Sequence, residues 1–134
     1  MVRTLLQDIG ILGADAPPLI HPRDPLNLHV AIYDGGGTGA SGPRNLQKVM
    51  KTIPRSLTWP IGPSDILEGA LAHFDVVIFP GGSGSKQAAA LGIKGRDKVR
   101  AFVKHGGGFI GICAGAYLAA ANYSWSLKLC DYNT

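Results

Sequence analysis

Short apolar runs that end in glycine, separated by stretches of helical period, limit this chain more than any other feature. Leu28–Tyr33, residues 74–79 (FDVVIF) and residues 108–112 (GFIGI) are apolar at nearly every position instead of every second one. A strand of that kind is buried on both faces, as in a parallel sheet covered by helices on either side. Residues 56–60 (SLTWP) add a shorter strand, and residues 126–132 (SLKLCDY) read as the start of a further one. The intervening segments read as helices. Residues 43–53 open on Pro43, carry the stripe Leu46, Val49, Met50 and Ile53, and stop at Pro54. Residues 64–71 start at Ser64 as N-cap and turn Ile66, Leu67, Ala70 and Leu71 inward. Residues 85–92, 95–106 and 114–121 follow, the second with Val99, Phe102 and Val103 inward and Gly106 as its stop. Alternating strands and helices predict an α/β fold, a three-layer, doubly wound, mostly parallel sheet.

At 134 residues one domain is expected, and 46% hydrophobic residues supply its core. The expected domain covers residues 28–134, behind an irregular arm at 1–27 that carries a short helix at 3–7. Arg3 and the Ala14-Asp15-Ala16 triplet give the start some likeness to a signal peptide, but Asp8 interrupts its apolar stretch. With no apolar run near 18 residues, no membrane span or membrane partner is expected, and the expected location is cytoplasmic. The net charge of +4 comes from scattered Lys and Arg. Lys94, Arg96, Lys98, Arg100 and Lys104 read as the solvated outer face of a helix, with an anion or nucleic-acid patch as the alternative. No aromatic residue joins them on that face, so no nucleic-acid partner is expected. Two cysteines, Cys113 and Cys130, make no disulfide framework.

In doubly wound sheets ligands bind beyond the carboxyl ends of the strands. Three glycine-rich segments fall there: Asp34-Gly35-Gly36-Gly37, Pro80-Gly81-Gly82-Ser83-Gly84 and Gly111-Ile112-Cys113-Ala114-Gly115. The last has the form of a nucleophile elbow with cysteine in place of serine. A tight strand-to-helix turn thrusts the side chain above the sheet, and close neighbouring chains require glycine on both flanks. The helix that starts at Cys113 favours a negative charge on the sulfur. The amide of Ala114 would face a developing oxyanion, with Gly81 or Gly82 supplying a second donor. A packed, structural cysteine is the alternative.

The segments VAIYDGGGTGASGP, FDVVIFPGGSGS and FVKHGGGFIGICAGAYLAA together resemble the biotin-protein ligase N-terminal type of class I glutamine amidotransferase-like domain. The resemblance covers roughly residues 28–134. It implies a flavodoxin-like sheet, incomplete at its C-terminal part, in which Cys113 attacks a carbonyl while Gly82 and Ala114 donate to the oxyanion. The Parkinson-associated deglycase and intracellular-protease family shares the fold and a similar cysteine elbow. There an acidic side chain from the end of the first strand touches the thiol. Asp34 is the candidate here, although the glycines after it fit the ligase-type family better.

A thiol also needs a base. In the amidotransferases a histidine and a carboxylate follow the cysteine, whereas all four histidines of this sequence precede it. His29 starts the first strand and His73 and His105 precede later ones, all at the amino edge of the sheet, and a five-residue strand is about 16 Å long. His21 stands in the arm with no motif around it. Glu68, the one glutamate, reads as solvated on a helix. No Cys/His/Asp cluster has metal-ligand spacing, so no metal and no cofactor are expected. The run Gly35-Gly36-Gly37-Thr38-Gly39 lacks the lysine of a phosphate-binding loop. Two classes of function remain: a hydrolase or amidotransferase-like enzyme using Cys113 on an acyl or amide compound, without competence as this chain, or a non-catalytic binding domain that keeps the elbow as scaffold. A homo-oligomer stays open.

Overall fold

The computed structural model describes residues 24–134; the short helix expected at 3–7 and His21 lie outside the described residues. Four strands form one sheet in the order β2-β1-β3-β4, all parallel: β1 Leu28–Tyr33, β2 Ser56–Ile61, β3 Val76–Phe79 and β4 Gly108–Gly111. Helix α1 (Gly42–Met50) joins β1 to β2. A short α2 (Pro63–Leu67) and a 3-10 turn (Ala70–His73) lead to β3. Helix α3 (Gly84–Lys104) leads to β4, and α4 (Ala114–Ala119) follows the elbow. This is the three-layer α/β arrangement of flavodoxin-like folds.

The pleat sorts the strand side chains between two layers. Val30, Ile32 and Ile78 face α1 and meet Leu46 and Met50. Ala31, Tyr33, Val77 and Phe79 face the opposite layer, where Ile66, Leu71, Ala88, Leu91, Val99 and Leu118 close the main core. Among the described residues only α1 covers the first face. Ile110, which pairs with Ile78 across the ladder, is accordingly 48% exposed.

Several sequence expectations shift for local reasons. Of the expected stripe in α1, Val49 lies within the helix but faces solvent, and Ile53 falls beyond its end at Met50; both are exposed. The N-cap of α2 is Gly62 instead of Ser64: Pro63 occupies the first helical position, and the Asp65 carboxylate accepts from the Gly62 N–H at 2.8 Å. That helix ends early, which leaves Leu67 exposed while Ile66, Ala70 and Leu71 are buried. Strand β3 begins two residues late because Phe74 still donates to the Leu71 carbonyl of the 3-10 turn. The two helices expected at 85–92 and 95–106 run on as α3, broken at Gly92 by a backbone of φ 66 and ψ −178.

The larger correction lies at the C-terminal end. Residues 126–132, expected to start another strand, form none. Their amides satisfy instead the carbonyls that end α4: Leu127 N–H donates to Leu118 at 2.7 Å and Leu129 N–H to Ala119 at 2.9 Å. Ser126 is fully buried and its hydroxyl donates to the Ala120 carbonyl at 2.6 Å. The basic face of α3 is only partly solvated. Lys94, Lys98 and Lys104 are exposed, but the Arg96 guanidinium donates to the Trp125 carbonyl at 3.2 Å. Arg100 donates to the carbonyls of Leu127 at 2.9 Å and Ser126 at 3.1 Å. These two arginines strap the last segment to the domain.

Arg100→Ala should therefore lower stability by about 1–3 kcal/mol, the usual range for lost charged hydrogen bonds, or roughly 4–10 °C in Tm. Lys98→Ala, on the solvated side of the same helix, should stay within about 0.5 kcal/mol. Equal melts for the two variants in a thermal scan would show that the strap contributes nothing.

Candidate functional site

The site is built where the chain leaves β1, β3 and β4. Cys113 follows β4 and caps α4 with φ 52 and ψ −106, a conformation rare for a residue with a side chain. Its cause lies in the neighbours. A Cβ on Gly115 would fall on the Phe79 carbonyl, and one on Gly111 would fall on the backbone of Gly115. With α4 set against the end of β3, the chain must reverse within one residue. The strain, of order 1–3 kcal/mol for such a residue, is carried by Cys113, whose side chain is exposed.

Loop amides are stitched by backbone bonds. Ile112 N–H donates to the Phe79 carbonyl at 3.0 Å. Gly39 N–H donates to Gly81 at 2.9 Å and Ser83 N–H to Gly37 at 2.8 Å, which makes Thr38 and Gly82 an antiparallel bridge between the first two loops. This pairing leaves the Gly82 N–H without an acceptor among the described residues. A trans peptide points its C=O and N–H in opposite directions, and the Gly81 C=O points to the β1 loop. The Gly82 N–H thus points away from that loop, toward the side of β4. Gly82 has φ 145, a backbone open to glycine. A Cβ at Gly81 would stand 3.6 Å from that of Cys113. In α4, Gly115 donates to Ile112, and Ala116 and Tyr117 donate to Cys113. Ala114, the first helical residue and buried, has an N–H with no acceptor among the described residues.

Gly81, Gly82, Gly111, Cys113, Ala114 and Gly115 therefore meet at one place. Asp34, Gly35, Gly36 and Gly37 lie farther off, since β3 separates β1 from β4 and two strand spacings are about 10 Å. The Asp34 carboxylate is exposed and makes no hydrogen bond among the described residues. Gly36 accepts from the Tyr33 hydroxyl at 3.1 Å. Burial, and then the Asp34 charge, push that phenol up to about 12, so it remains a donor. Ser83 is the N-cap of α3, its hydroxyl oxygen accepting from Lys86 N–H at 3.4 Å. Below the loops the rings of Tyr33, Phe79 and Phe109 stack at 4.6 and 5.4 Å.

The described histidines are remote from the thiol. His29 is level with Asp75, whose N–H donates to its carbonyl at 2.8 Å. That is six residues before Gly81 along β3, about 20 Å. His73 ends the 3-10 turn and His105 caps α3, its Nδ1 2.6 Å from the Ala101 carbonyl. Glu68 is exposed at the end of α2. No group of three His, Cys, Asp or Glu among the described residues is placed to hold a metal ion. No helix among them is long and apolar enough to cross a membrane. Among the described residues one surface hollow, of about 410 Å³, lies at the far end of the sheet between Asp24, Arg55 and Asp75, and another, of about 390 Å³, lies beside β4 between Phe109, Leu129 and Cys130 and reaches the elbow at Gly111 and Ala116.

One residue near the site escapes sequence reasoning. Gln87, fully buried in α3, donates from Nε2 to the Pro80 carbonyl at 2.9 Å and to the Thr38 hydroxyl at 3.4 Å. A polar residue at an inward position of an apolar helix was its only signal.

A family model described as biotin-protein ligase, N terminal, matches residues 28–132. No curated protein matches the sequence.

Gly111→Ala and Gly115→Ala should each cost about 1–3 kcal/mol or more, because the added methyl meets backbone. Cys113→Ser should cost little. Cys113→Gly should melt above Cys113→Ala, since relief of about 1–3 kcal/mol of strain outweighs the roughly 0.5–1 kcal/mol entropic cost of glycine. Thermal melts decide; a Cys113→Ser protein that melts below both alanine variants would make the thiol chiefly structural.

Limiting iodoacetamide at neutral pH should modify Cys113 before Cys130. Both thiols are exposed, but Cys130 donates its proton to the Ala119 carbonyl, S···O 3.4 Å. Peptide mass spectrometry showing Cys130 first, or equal labelling, would contradict this.

Proposed function

The chain belongs to the biotin-protein ligase N-terminal family, and from that premise we propose that Cys113 is the acyl-accepting nucleophile of a thiol site that receives carbonyl compounds without turning amides over. The observation that carries the reading is the strained backbone of an exposed cysteine between β4 and α4. Such strain survives where the surrounding structure enforces it, and it clusters at reactive sites.

Two free amides support the reading. In the step itself the Cys113 thiolate adds to a carbonyl carbon, the C–S bond forms, and the carbonyl oxygen takes the negative charge. The N–H groups of Gly82 and Ala114 receive that charge. Collapse expels the leaving group and leaves a thioester on Cys113. A stable anion departs unaided. An amine needs a proton, and a positioned general acid is typically worth about 10²–10⁴ in rate. A base or acid must stand within about 2.6–3.2 Å of its partner, and His29 is set about 20 Å away by strand length. The same remoteness favours the second reading, a non-catalytic binding domain that keeps the elbow as scaffold.

An activated ester separates these possibilities. With p-nitrophenyl acetate, the protein should release one equivalent of p-nitrophenolate per chain in a burst, and Cys113→Ala should release none. Ammonia release from glutamine and simple amides should not exceed the Cys113→Ala blank. Absence of a Cys113-dependent burst would overturn the acyl-accepting site in favour of a scaffold. Amide turnover well above the blank would overturn the other half.

A further inference from the structure

We infer that Gln87 is a positioning residue that orients the amides of the Gly81-Gly82 loop toward the Cys113 site, an inference that rests on the acyl-accepting reading. Glycine has no side chain with which to anchor its peptide planes, so the planes from Pro80 to Gly82 are set by what their carbonyls and amides bond to. Two of these ties are backbone bonds, from Gly39 to Gly81 and from Ser83 to Gly37. The third comes from a side chain, the Gln87 amide, which donates to the Pro80 carbonyl at 2.9 Å. Held toward α3, that carbonyl turns the Gly81 N–H the opposite way and fixes the entry of the chain into Gly82. The second donor contact, to the Thr38 hydroxyl at 3.4 Å, couples the β1 loop to the same point.

The burial of Gln87 argues for this role. The side chain is fully buried, yet its Oε1 has no donor among the described residues. A buried acceptor without a partner opposes folding, and such a group in a native structure calls for a reason. An apolar side chain of equal length would fill the space without that orphan. It would also leave the Pro80 carbonyl unpaired and the loop free to rotate. What glutamine adds over methionine here is the NH₂ group, and both bonds of that group end on the loops of the site. Gly37 closes the arrangement, since a Cβ there would collide with the backbone of Gln87.

The test compares two reactions of Cys113 in the same protein. Alkylation by iodoacetamide forms a C–S bond with loss of iodide and develops no oxyanion, so it reads thiolate and access alone. Acylation by p-nitrophenyl acetate forms a C–S bond and breaks the ester C–O bond, with the thiol proton going to solvent and p-nitrophenolate leaving; it also reads the oxyanion donors. The ratio of the two rates should fall tenfold or more in Gln87→Met, toward the factor of about 10²–10³ known for loss of an oxyanion donor. Val99→Ala, a cavity variant in the same helix, should lower Tm and leave the ratio unchanged. Gln87→Glu gives a second readout that stands even if the methionine variant fails to fold. A protonated glutamate can donate to the Pro80 carbonyl, whereas an ionised one repels it. The ratio in Gln87→Glu should therefore fall as pH rises through that ionisation, while the unmodified protein shows no such step. A wild-type ratio in both Gln87 variants, or an equal fall in Val99→Ala, overturns the inference. If the unmodified protein shows no Cys113-dependent acylation, the acyl-accepting reading itself falls, and the inference with it.

Discussion

Gly115 stands so close to the end of β3 that its α-hydrogen occupies the only space between α4 and the Phe79 carbonyl. That approach dictates the rest of the site. Because the helix begins against β3, the chain leaving β4 must reverse within a single residue, and Cys113 takes the left-handed backbone that the reversal requires. Because the Phe79 carbonyl also accepts from Ile112, the end of the ladder and the start of the turn share one acceptor. Neither can shift without the other.

The same economy holds one strand over. The loops after β1 and β3 are tied by backbone bonds through Thr38 and Gly82, and α3 starts directly from that bridge with Ser83 as its cap. Glycine-rich loops are often the mobile part of a binding protein. Here their peptide planes are held by backbone bonds and by Gln87, so under the proposed reading the donors would already be in place when charge develops. The histidines described stand at the far end of the strands. The Cys113 elbow and the described histidines are therefore separated in this fold by the length of the sheet.

Much of this was legible in the sequence because it depends on local rules. Doubly buried strands advertise themselves as unbroken apolar runs, and Gly111, Cys113 and Gly115 announce a tight strand-to-helix turn. What was not legible depends on partners distant along the chain. Arg96 and Arg100 look like any solvated helix face until residues 125–127 fold back onto them. Residues 126–132 have strand-like composition, but the carbonyls left over at the end of α4 claim their amides before any sheet edge does. The cap of α2 moved from Ser64 to Gly62 because Asp65 reaches back to the earlier amide, a competition that propensity alone does not rank. Gln87 gave no more than its inward polar position for the same reason: its partners, Pro80 and Thr38, come from two different loops.

The two tryptophans sit in different parts of this arrangement. Trp59, in β2, packs edge-on against Phe74 and His29 at 5.7 and 5.6 Å, near the amino end of the sheet. Trp125 stacks on Tyr123 at 4.5 Å within the segment that the two arginines hold. Intrinsic fluorescence is thus a two-channel reporter, with one indole built into the sheet and the other into the strap. Single-tryptophan versions turn the protein into its own spectroscopic test of whether the last segment lets go as a separate cooperative unit or only when the whole domain melts.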